Sequence, residues 1–168
     1  EFNNFRPDRP LYLIHGIWLD EDNPTGGIDV FDFTYSLDRA SEEVIDAVHG
    51  NAVIDPRLGK GFGTYEVDVS KWVIGWIVGR EMYGGEALVA NARHSEVTSY
   101  EGRFLSLAHG TPTEAWAVKR MDYALTYEWD KYGVTRPVAF SNWPTTDPLP
   151  HISEPHFDLP EDGELESI

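Results

Sequence analysis

Three features of the chain predict an α/β fold, with parallel strands joined by crossover helices. Trp72–Gly79 is a short apolar run rich in β-branched residues. Such a run reads as a strand buried on both faces. Strand-like and helix-like segments alternate along the chain, with no Asn-Gly or Asp-Gly turn between short alternating runs. That order argues for parallel pairing and βαβ connections rather than hairpins. The stretch after Gly110 carries helix punctuation at both ends: a Thr111 cap, Pro112 in the first turn, Glu114 early, and Gly133 to close.

The other elements follow in order. Leu11–Leu19, entered through Arg9-Pro10, reads as a first strand. Asp20–Gly27 is dense in acids and turn formers and reads as a loop. From Asp29 to about Glu43 the pattern turns helical. Phe31, Tyr35 and Leu37 are expected on its buried side, with Asp38, Arg39, Glu42 and Glu43 outside. Val44–Asn51 is expected as a second strand, unless the helix runs into it. Pro56–Tyr65 contains Gly59, Gly61 and Gly63 but lacks P-loop spacing, so a lid or a close-approach loop is favoured over a phosphate cradle. Asp68–Lys71 reads as a helical turn into the central strand, Glu86–Ala92 as a short helix, and Pro137–Trp143 as a last strand. Pro144–His151 is a proline-stiffened loop. Residues 1–150 are assigned to one domain and 151–168 to an acidic arm or tail.

The 168 residues suffice for one core of ordinary size. Lys and Arg number 13 against 29 Asp and Glu, a formal charge of −16. That field repels a duplex or an anionic lipid surface, so no nucleic-acid partner is expected. Six of the acids lie between His151 and Ile168. Aromatic residues make up 13%, including six Trp and eight Tyr, which suits a large core or a cleft with stacking platforms. The absence of Cys excludes disulfides and thiolate chemistry. No apolar run approaches the ~20 residues of a membrane span. No signal peptide opens the chain, so the residues do not fix the compartment. The opening Glu1-Phe2-Asn3-Asn4 lacks an initiator Met and reads as cut from something longer.

Each expected strand ends in reactive residue types. His15, Trp18, Asp20 and Glu21 lie at or near the end of the first, and His49-Gly50-Asn51 ends the second. Arg80-Glu81 and Tyr83 follow the third, and Asn142-Trp143 and Asp147 follow the fourth. Four such endings in succession predict one polar face gathering side chains from several strands, as at the mouth of a (β/α) barrel. Glu81 is the strongest candidate, because a carboxylate at the tip of an apolar strand requires a reason. Arg80 is expected to pair with Glu81 or Asp46, or to shape the site.

Val48-His49-Gly50-Asn51, Ile74–Glu81 and Phe140–Leu149 together resemble segments of clan-A type glycoside hydrolase and glucanosyltransferase (β/α)8 barrels. The resemblance spans roughly Pro10 to Glu154. It implies part of a TIM barrel, about strands 2–5, with a small open α/β sheet as the alternative. It also implies that the rest of the barrel comes from the same polypeptide or a second chain. In that family the general acid/base is a Glu at the end of strand four, the place Glu81 matches. Arg80 stands where the family usually has Asn.

The resemblance implies a glycoside hydrolase or transglycosylase acting on a β-glucan-like or other oligosaccharide, with Glu81 as general acid/base. His15, His49, Asn51, Arg80, Asn142 and Asp147 are the expected polar contacts to sugar, and Trp18, Tyr83 and Trp143 the stacking residues. No cofactor is called for. The rivals are a metal-dependent hydrolase using His15, His49, Glu81 and Asp147, and a non-catalytic carbohydrate-binding module.

Overall fold

The computed structural model describes residues 2–141. In chain order these form α1 (Phe2–Phe5), β1 (Leu13–Trp18), α2 (Thr34–Val48), β2 (Ala52–Ile54), β3 (Gly63–Tyr65) and β4 (Val73–Gly79). Then follow α3 (Gly84–Arg93), β5 (Tyr100–Glu101), β6 (Ser106–Leu107), α4 (Pro112–Tyr132) and β7 (Val138–Ser141). Single 3-10 turns at Val30–Phe33 and Ser70–Trp72 lead into α2 and β4.

The fold is mixed α/β. β1, β4 and β7 form a parallel three-stranded sheet in that spatial order. The three strands therefore lie side by side in the order in which the chain reaches them. Helices fill the connections, because a parallel neighbour can be reached only by a crossover. Ile17, Trp76 and Val78 point to the helix side and are 0–1% exposed. Leu37, Ile45 and Val48 from α2 join Trp116, Ala124 and Leu125 from α4 to complete that core. The opposite face of the sheet is open among the described residues, with Ile14 59% and Ile77 38% exposed. The expectation that this strand is buried on both faces is thus corrected: helices cover one face only.

Period explains a second correction. Val44–Asn51 is not a strand; α2 continues to Val48. Leu37, Ser41, Ile45 and Val48 form one buried stripe at helical spacing, and a polar Ser inside the stripe hid it. Tyr35, expected to be buried, is 76% exposed, and Phe33 takes the inward place. The helix ends at His49, and Gly50 turns the chain with φ +67°. A Cβ at Gly50 would lie 2.6 Å from the Asp68 nitrogen and the Val67 carbonyl carbon.

Two antiparallel ribbons, β2–β3 and β5–β6, also depart from expectation. Their loops lack the short hairpin dipeptides. The second ribbon is shaped by Asp122 of α4, whose carboxylate accepts from the backbone N–H groups of Arg103, Phe104 and Leu105.

α4 follows its sequence signals closely. Thr111 and Glu114 form a capping box, and Gly133 ends the helix with φ +70°. α2 and α4 meet through acids on α2: Asp38 pairs with Arg120, Glu42 accepts from Tyr123, and Asp46 accepts from Tyr127, Lys131 and Tyr132. No helix among the described residues is long and apolar enough to cross a membrane.

Candidate active site at the carboxyl edge of the sheet

The carboxyl ends of the three parallel strands share one edge. Trp18, Gly79 and Ser141 sit side by side in the strand register. Leu19 N–H extends the β1–β4 pairing by bonding to the Gly79 carbonyl. Beyond Gly79 the chain runs Arg80, Glu81, Met82 and Tyr83 before α3 begins. Met82 is buried, and Glu81 and Tyr83 face solvent. Trp18 and Tyr83 are 54% and 63% exposed, which is high for aromatic side chains at the end of a core sheet.

Arg80 departs from its expected partners. It is 3% exposed and pairs neither with Glu81's carboxylate nor with Asp46. Its Nη2 and Nη1 donate to Glu86 Oε1 and Oε2 at 2.6 and 3.1 Å. Its Nε donates to the Asp20 carbonyl and Nη1 also donates to the Glu81 carbonyl, each at 3.1 Å. Glu86 Oε2 in turn accepts from Tyr83 N–H at 3.1 Å, closing the first turn of α3. One guanidinium therefore ties the loop after β1, the loop after β4 and the start of α3 together. A bidentate fork suits this because it sets direction as well as distance. The backbone on both sides of Glu81 is held, while its carboxylate projects outward.

Of the remaining candidates among the described residues, His15, His49 and Asn51 do not gather there. His49 follows the last residue of α2, near the amino end of β4: Val69 N–H bonds to the Val48 carbonyl four residues before β4 starts. β4 is seven residues long. At ~3.3 Å per residue it puts His49 and Glu81 about 20 Å apart, on opposite edges. His49 Nε2 lies 2.9 Å from Glu128 Oε1, and its ring stacks on Tyr132 at 3.8 Å. A carboxylate only accepts, so the imidazole donates. Glu128, fully buried, also accepts from Trp76 Nε1 and Arg136 Nε, and Arg136 Nη2 lies 2.6 Å from its Oε1. Asn51 donates to the Tyr132 hydroxyl on the same amino edge. The expectation that His49 and Asn51 join Glu81 in one hollow is thus corrected: the strand assumed to end at His49 does not exist, and α2 delivers that histidine to the other edge.

His15 lies within β1 opposite Trp76, on the helix side, with Nδ1 2.8 Å from the Gly16 carbonyl oxygen. Asn142, Trp143 and Asp147 lie outside the described residues, as does the tail 151–168. Among the described residues no group of three His, Asp or Glu is placed to hold a metal ion. Glu86, Glu128 and the Asp20 carbonyl were missed as supporting groups. Only Glu86 carried a local signal, an acid in the first turn of a helix opening on Gly84-Gly85.

The carboxyl edge thus offers a solvent-facing carboxylate on a fixed backbone, with two exposed aromatic faces nearby. It can exchange a proton with a bound group and stack on a weakly polar ring. Comparison with protein-family models, with curated proteins and with solved structures finds no match to this chain.

Proposed function

We propose that this chain is part of a (β/α)8 barrel glycoside hydrolase or transglycosylase, with Glu81 as general acid/base. The carrying observation is the place of Glu81: two residues past the central parallel strand, exposed, on a loop pinned by Arg80 and Glu86. Three parallel strands in sequential order, with α2 and α4 on one face, are what consecutive units of such a barrel require. The open face and the unpaired outer edges of β1 and β7 among the described residues agree with neighbouring units from elsewhere in the polypeptide or from a second chain. Trp18 and Tyr83 would stack on sugar rings.

In this function Glu81 protonates the departing glycosidic oxygen. A second carboxylate, outside this set of residues, completes the pair. Water as acceptor gives hydrolysis and a second sugar gives transfer. The test is Glu81→Gln in the complete polypeptide. Turnover should fall about 10²–10⁴-fold, with oligosaccharide affinity by calorimetry nearly unchanged. Unaltered turnover with intact binding would remove Glu81 as the proton donor. Binding by the parent protein without any turnover would favour a carbohydrate-binding module instead.

A further inference from the structure

A groove of about 1380 Å³ runs beside the outer edge of β1. Its floor includes Ala40, Val44 and Ala47 of α2, and its far wall is the β2–β3 ribbon with the connecting residues 55–62. The base and the tip of this wall differ. At the base, Gly50 packs so closely on residues 66–68 that no side chain fits. Gly59 at the tip and Gly63 where β3 begins have φ of +70° and +133°, with nothing within 4 Å of a Cβ position. Leu58 is fully exposed and Phe62 is 57% exposed, so apolar packing does little to hold the tip.

Two ion pairs hold it instead. Arg57 bonds to Glu43 on α2, and Lys60 bonds to Asp20 just beyond β1. The side chains of Arg57, Lys60 and Asp20 are 45%, 36% and 38% exposed. Pairs this open to water are weak and are screened by salt.

We propose that residues 55–62 are a strap that walls this groove while Arg57 and Lys60 are latched, and swings away from its tip when the latches release. The base stays fixed at Gly50, and Gly59 at the tip and Gly63 at the strap's end take up the backbone change. The strap also reaches the carboxyl edge of the sheet. Asp20, which holds Lys60 through its side chain, accepts from Arg80 Nε through its carbonyl. This proposal stands independently of the saccharide activity.

Limited trypsin digestion of the full 168-residue chain tests it, because the two latching cations are themselves cleavage sites. The bonds after Arg6, Arg9 and Arg136 each precede Pro and resist cleavage. The parent should be cut first after Arg57 and Lys60. The double variant Asp20→Asn, Glu43→Gln should be cut there roughly three- to tenfold faster at low salt. The parent should approach that rate at about 0.5 M NaCl, while the variant changes little. A reporter peptide corrects for the response of trypsin itself, and circular dichroism checks the fold. Equal rates in parent and folded variant, no salt response in the parent, or first cuts elsewhere would overturn the strap. If the variant fails to fold, the salt series on the parent decides alone.

Discussion

Arg80 and Glu86 face each other across six residues of chain as a two-bond ion pair, with side chains only 3% and 7% exposed. Neither charge has water enough to survive the loss of the other. Arg80→Met and Glu86→Gln should therefore each destabilise the fold by about 3–5 kcal/mol, as measured by urea denaturation. The double variant Arg80→Met, Glu86→Leu should recover much of that loss, because an apolar pair leaves no buried charge. Single variants costing less than about 1 kcal/mol would show the pair to be solvated in solution.

A second buried charge closes the other end of the sheet. Glu128 accepts from His49, Trp76 and Arg136 Nε at 2.9, 3.0 and 3.2 Å. Glu128→Gln leaves Arg136 without its counter-charge beside the Trp76 ring. The expected cost is about 3–5 kcal/mol, with altered tryptophan fluorescence. His49→Leu, which removes one of the three donor residues around Glu128, should cost about 1 kcal/mol. Both variants should leave saccharide affinity of the folded protein unchanged, since the amino edge lies about 20 Å from Glu81. A selective loss of affinity in either would place His49 back in a binding role.

The contrast between these two networks explains what the sequence could disclose. α4 was legible because Thr111, Pro112, Glu114 and Gly133 act locally. β4 was legible because its apolar run is short and bounded. Glu81 was legible as a strand-end acid for the same reason. Val44–Val48 misled because β-branched residues near a glycine resemble a strand approaching a loop, whereas the deciding fact is a stripe reaching back to Leu37. His49 misled similarly: its partner, Glu128, is 79 residues away in the chain. Arg80 turned inward because an acid in the first turn of α3 faces it, a relationship with no periodic signature.

The acid limb of stability offers the last test. Asp122 is 4% exposed, and burial alone would raise its pKa. The N–H groups of Phe104, Leu105 and Arg103, with the Tyr100 hydroxyl, outweigh that and hold it below the ordinary 3.8. In the unfolded chain Asp122 takes up its proton first, so acid favours unfolding. Its contribution is complete above pH 3.8 and is lost as pH falls through the lower folded value. Asp38 has the opposite sign, because burial, ahead of the attraction of Arg120, raises its pKa. Its contribution is complete below pH 3.8 and fades as pH rises through the raised value. Asp122→Asn isolates the first effect. It should cost about 2 kcal/mol at neutral pH, because one of its side-chain positions then meets donors with a donor. It should also flatten the loss of stability below pH 3.8, read from urea midpoints down to about pH 2.5. An acid slope identical to that of the parent would mean that Asp122 does not carry this loss. The residues 102–105 loop would then need another anchor than the one its hydrogen bonds describe.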